Sequence, residues 1–329
     1  MSMVKRVLVG RPLATTEMEH QRIPKTIALA VFSSDAISST AYATEEILFV
    51  VAVGGSSLAL GLNTLVPIGI AVAILLTIVI TSYRQTIFSY PSGGGSYVVS
   101  RENLGENPSL VAGASLLVDY ILTVAVSISA GVAAIVSIPE FHSLQTHRVA
   151  LGLVLILLIS LANLRGIKES GRIFAVPTYV YIVSLVGLVG YGLLRTLVFK
   201  DISHIHVDKE AFAGQNLAGG TLGILILLKG FSSGAVALTG VEAISNGVPA
   251  FRRPESKNAA TTLVWMGIIL GTLFMGVQIL AHHLGPYPSE KETVFSQLGR
   301  AVFGGGTLPT VSISIGRSFG AITTNSLRQ

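Results

Sequence analysis

Seven stretches of mostly apolar residues dominate this 329-residue chain. They fall near residues 26–53, 62–82, 110–137, 148–164, 174–198, 219–249 and 259–281. A helical crossing of a bilayer takes about 20 such residues, and a soluble core gives no reason for so many runs of that length. The fourth is the shortest and must borrow from its flanks. The hydrocarbon region holds no water, so each run must satisfy its backbone internally, and the chain is expected to be all-α and integral to a membrane. Only 12% of its residues are charged, about half the usual share of a soluble domain.

The remaining composition narrows the function. The net charge of +5 comes from basic residues scattered over loops, which is no nucleic-acid footprint. Cysteine is absent, removing disulfides, thiolate metal sites and a catalytic thiol. Residues 1–25 lack the apolar core of a signal peptide, so they read as a cytoplasmic N-terminus and the first span as an uncleaved insertion signal. Thirteen Lys and Arg residues flank one set of span ends, among them Arg22, Arg84, Arg101, Arg252 and Lys257. The opposite loops hold five, so the positive-inside rule places the N-terminus in the cytoplasm.

Two spans are interrupted. In the first, Ser33-Ser34-Asp35-Ala36-Ile37-Ser38-Ser39-Thr40-Ala41-Tyr42 puts a carboxylate and five Ser and Thr hydroxyls inside an apolar helix. A carboxylate at mid-bilayer costs roughly 2.5–3.5 kcal/mol on insertion scales and marks a functional site by default. In the sixth, Gly230-Phe-Ser-Ser-Gly-Ala-Val-Ala-Leu-Thr-Gly240 is followed by Glu242. The breaks are five spans apart, so the broken helices run antiparallel, as in inverted-repeat transporters with one site near the membrane midplane.

Asp35 is the leading candidate for a cation ligand, with capping of the second half-helix as its alternative. Tyr42 lies seven residues on, two turns along the same face. In span three, Tyr120, Thr123 and Ser127 form a hydroxyl ladder at i, i+3 and i+7, the alternative being interhelical packing. Asp119 belongs to the site or pairs with Lys229. Thr239 and Glu242 follow the second break, and Glu242 is a candidate to bind a cation or couple transport to protons. Gly93-Gly94-Gly95 lacks the trailing Lys-Ser/Thr of a phosphate loop and reads as a tight cytoplasmic re-entry. Asp201, His204, His206 and Asp208 read as an exposed polar loop before a metal site. No enzyme constellation is present in a plausible context.

The segment Ser34-Asp-Ala-Ile-Ser-Ser-Thr-Ala-Tyr42 is similar to the Asp-to-Tyr signature of KUP-type potassium transporters. Its Ser and Ala substitutions resemble the KimA-like branch. Pro91-Ser-Gly-Gly-Gly-Ser-Tyr97 with Asn103-Leu-Gly105, Asn163-Leu-Arg-Gly-Ile-Lys-Glu-Ser-Gly171 and Thr239-Gly-Val-Glu-Ala-Ile-Ser-Asn246 resemble the wider amino acid–polyamine–organocation superfamily. The resemblance implies a LeuT-like inverted-repeat fold and potassium import across the plasma membrane by proton symport. Asp35, Tyr42, Tyr120, Thr123, Ser127 and Thr239 then bind the ion, and Glu242 takes part in proton coupling. No cofactor is implied; potassium is substrate and the proton its coupling ion. The bilayer is the expected partner, and a homodimer is left open. An amine or amino acid substrate is the second reading.

The resemblance also sets an expectation for organisation: a cytoplasmic N-terminus (1–25), a first five-helix repeat (26–198), a partial second repeat (219–305) and an atypical polar tail (306–329). Thr293–Phe303 reads as the start of an eighth span. The second repeat is thus expected to be incomplete, as in a truncated or frameshifted product, and an inactive membrane fragment is a further reading.

Overall fold

The computed structural model describes residues 22–54, 57–163, 167–207, 223–289 and 292–304. Most of the expected N-terminal segment, the 306–329 tail, Asp208 and the Leu164–Gly166 part of one family-like motif lie outside them. Seven helical segments are long and apolar enough to cross a membrane: Lys25–Val53, Leu58–Ser89, Glu106–Val136, Ser143–Ala162, Gly171–Phe199, Ile224–Asn246 and Glu255–Leu284. They are spans one to seven. Among the described residues the sheet content is limited to isolated bridges, such as that of Ile23 with Phe251. Several spans outrun their apolar cores; span two begins four residues before Leu62, where Ser57 Oγ accepts from Leu60 N–H at 3.3 Å as an N-cap.

Span one is the most enclosed span and span four the least. Spans three, four and five turn residues such as Leu117, Ile121, Leu153, Leu157 and Val183 outward, the pattern of helices facing hydrocarbon. One core cluster joins Ile37 and Ile47 of span one to Leu65, Leu185, Phe274 and Leu280 of spans two, five and seven. A second, nearer the basic span ends, gathers Ile23, Val31, Ile87, Val248, Phe251 and Leu263.

Both expected interruptions are real breaks. Span one consists of α1 (Lys25–Ser38), a 3₁₀ turn at Ser39–Ala41, α2 (Ala43–Leu48) and a π-helical turn at Phe49–Val53. The cause is local. Ser34, Ser38 and Thr40 donate to the carbonyls of Val31, Asp35 and Ile37 at 3.0, 2.8 and 2.6 Å, and Ser33 donates to Leu29 O. Such back-bonding competes with the helical ladder and bends it. Span six consists of α3 (Ile224–Gly234), a 3₁₀ turn at Ala235–Leu238 and α4 (Ala243–Asn246). Between the last two, Thr239 is extended and Gly240 has φ 83°, a value that glycine holds without steric cost.

Two elements were not foreseen. The loop after span two carries a helix, Gly95–Leu104, in place of a bare re-entry. Thr293–Phe303, expected as the start of a further span, holds a short amphipathic helix, Val294–Phe303. Thr293 caps its start, accepting from Ser296 N–H at 3.3 Å, and Gly304 with φ 81° closes it. Its Val294, Phe295, Leu298 and Val302 are buried. Glu45 Oε2 accepts from Val294 N–H at 3.2 Å at one end, and Arg195 Nη1 donates to Val302 O at 2.6 Å at the other.

Candidate functional site

The two breaks meet. Ser39 Oγ, in the turn of span one, lies 3.2 Å from the Ala237 carbonyl in the turn of span six. Span six approaches closely because it presents glycines: a Cβ on Gly234 would sit 2.9 Å from Ile47, and one on Gly230 2.8 Å from Val51. Small residues permit this kind of approach between membrane helices. The crossing therefore fixes where backbone carbonyls leave their helical partners.

Tyr42 stands at the restart of span one, 8% exposed. The hydroxyls of Ser127 and Thr239 flank its phenol. Three expected ligands, from spans one, three and six, are thus brought together. Tyr42 Oη and Ser127 Oγ are buried and face each other, with no hydrogen-bond partner among the described residues outside this group; Thr239 Oγ1 donates to Val236 O at 2.9 Å. Buried hydroxyls are normally paired, and an unpaired one costs about 1–3 kcal/mol. A bound cation takes up such oxygen lone pairs. Asp35 sits one turn before the break at 3% exposure. The start of α2 is occupied by Tyr42 without a side-chain cap, so capping does not explain Asp35.

Tyr120 lies elsewhere. Its Oη accepts from Asn246 Nδ2 at 2.6 Å, and it sits within electrostatic reach of Glu242, Asp119 and Tyr83. Along span three the ladder therefore divides: Ser127 joins the Tyr42 group, Tyr120 joins a second group nearer the basic ends, and buried Thr123 lies between. Glu242 occupies the N-cap position of α4 without capping it. It is 9% exposed and its Oε1 has no partner among the described residues. Asp119 belongs to this second group; exposed Lys229, in the opposite half of span six, forms no ion pair with it among the described residues.

Next to the Tyr42 group is a cavity of about 560 Å³. Ser38, Tyr42, Ser127 and Tyr181 line its mid-span end, and Glu45 and Glu46 the end nearer the loops after spans one and three. Tyr181 of span five is 3% exposed, with Oη 3.5 Å from Thr40 Oγ1. Sequence reading missed it, because a tyrosine in an unbroken apolar run carries no signal beyond packing. The Ser and Thr hydroxyls of span one, conspicuous in the sequence, spend their protons on carbonyls of their own helix. In the loop after span five, Asp201 pairs with Arg195 at 2.9 Å. Among the described residues no group of three or more His, Asp or Glu is placed to hold a metal ion.

Two broken helices with oxygen-bearing side chains at their crossing are the arrangement found in inverted-repeat membrane proteins. A match to the amino acid permease family covers residues 25–321, and the chain belongs to that family. It is 48% identical over 301 residues to the Potassium transporter KimA of Bacillus subtilis (strain 168), an alignment covering 92% of this chain and 48% of the relative. The chain thus spans about half the length of the curated relative it matches.

Proposed function

We propose that this chain carries the ion site of a potassium importer of the plasma membrane, driven by proton symport, with its N-terminus in the cytoplasm. The observation that carries the reading is the convergence of Tyr42, Ser127 and Thr239 at the crossing of the two breaks. Many oxygens of modest field strength, hydroxyl and carbonyl, replace the hydration shell of a large monovalent cation. One buried carboxylate, Asp35, balances its charge. Glu242, set apart near the basic ends, is the proton-coupling candidate. The name of the 48% identical relative supports the choice of potassium. The family's own description keeps a second reading open: Asp35 would hold the ammonium of an amine while repelling a substrate carboxylate.

The test is rubidium uptake by a bacterium lacking its potassium importers, with growth in limiting potassium scored alongside. The expected result is uptake in the parent chain, lost in Asp35→Asn while membrane insertion is unchanged. Uptake that survives Asp35→Asn rejects the site. Competition by amines, in place of potassium, selects the second reading.

A further inference from the structure

The triple glycine after span two does more than turn the chain. Gly93, Gly94 and Gly95 have φ of 78°, 89° and 46°, left-handed values suited to glycine. Gly94 N–H points to the Asn246 carbonyl at 3.4 Å. A Cβ on Gly93 would sit 2.7 Å from that oxygen, and one on Gly95 only 2.0 Å from Asn246 Oδ1. The loop therefore seats bare backbone on both the main chain and the side chain of one residue. Asn246 is the last residue of α4 and follows Glu242 by one turn, its N–H bonded to Glu242 O at 3.0 Å. Its Nδ2 holds Tyr120 of span three. Beside it, a Cβ on Gly247 would come 2.5 Å from the Phe32 ring of α1, so span one leans on the same point.

Half of the Asn246 amide is satisfied and half is not. Nδ2 has Tyr120, whereas Oδ1 is buried without a partner among the described residues. Moving Asn246 away from the loop and from span three would break its contacts with Gly94 and Tyr120 but let water reach Oδ1. The gain offsets part of the loss and lowers the cost of release, as a switching element requires.

We propose that Asn246 is the positioning residue of a latch: through it, the Gly93–Gly95 loop and Tyr120 hold the end of broken span six against span one, and release opens a path from the ion site to the basic face. The consequence for transport rests on the transporter reading above; the latch itself does not.

The chain has no cysteine, so Ser245→Cys, at a buried position beside Asn246 (2% exposed), is a single-thiol reporter. Its reaction with a membrane-impermeant maleimide is followed from each side of sealed vesicles. Asn246→Ala and Tyr120→Phe should each raise labelling from the basic face about fivefold, the population shift that loss of one hydrogen bond allows. The double variant should add little, since both remove one interaction. Gly95→Ala should act likewise, whereas Gly105→Ala, also at positive φ but with open space around its Cβ, should not. Parental labelling in Asn246→Ala and Tyr120→Phe, or an equal effect of Gly105→Ala, overturns the latch. Rubidium uptake of the same proteins is scored separately. Faster labelling in a chain that never transports keeps the latch and sinks the transporter reading. Parental uptake rates in Asn246→Ala and Gly95→Ala despite faster labelling overturn the positioning role.

Discussion

Ser127 separates a ligand from a packing hydroxyl more sharply than any other residue in the site. It is 1% exposed, and its Oγ faces the Tyr42 phenol with no other hydrogen-bond partner among the described residues. A hydroxyl kept for interhelical bonding would make a close bond, and its loss would weaken the fold. A contact this loose is worth at most about 0.5–1.5 kcal/mol, so Ser127→Ala should leave thermal stability close to parental. The same change removes an oxygen beside Tyr42, and the rubidium concentration for half-maximal uptake should rise about fivefold, equivalent to losing one modest contact. A drop in melting temperature with unchanged uptake would make Ser127 structural. Asp35, Tyr42, Ser127 and Thr239 were legible because polar residues in apolar runs are conspicuous. Tyr181 and Asn246 were not: their roles come from contacts 141 and 126 positions away in sequence, with Thr40 and Tyr120.

At the scale of elements, the break in span six depends on Gly240. Its φ of 83° turns the chain between extended Thr239 and the restart at Ala243. A Cβ in a left-handed conformation costs roughly 1–2 kcal/mol, so Gly240→Ala should shift the turn and carry Thr239 away from Tyr42. The expected outcome is normal insertion with uptake reduced about tenfold, the rate factor that 1.4 kcal/mol represents. Full activity would show that the break tolerates another backbone path. The spans and both breaks were legible, because length, hydropathy and small polar residues mark them directly. The two short helices, Gly95–Leu104 and Val294–Phe303, were not recognised as separate elements. The first is polar and glycine-led. The second has helical spacing and a Thr cap, but a cap and a period say nothing of whether a helix crosses the membrane or lies against its neighbours.

For the whole molecule, the decisive quantity is sidedness, because spans one and six build one site only if they cross in opposite directions. Ser39 touching Ala237 puts the two breaks together at mid-span, and the five-span offset between them sets opposite directions of crossing. The charge bias assigns the ends: Arg101 and Lys257 belong to the crowded basic face, Ser203 to the sparse one. In the cysteine-free chain, Arg101→Cys and Lys257→Cys should react with an impermeant maleimide only after the cytoplasmic side is exposed. Ser203→Cys should react in intact cells. Ser203 is separated from Arg101 by three crossings and from Lys257 by one, so the pattern tests the count of spans as well as their direction. If Arg101→Cys labelled from outside and Ser203→Cys from inside, the fold would stand but its polarity would invert. Glu242 and the Asn246 contact would then face the exterior, and a proton entering with the ion would meet Glu242 before Asp35. Potassium import with Glu242 on the cytoplasmic side therefore requires the first labelling pattern, and the second would turn the proposed direction of coupling around.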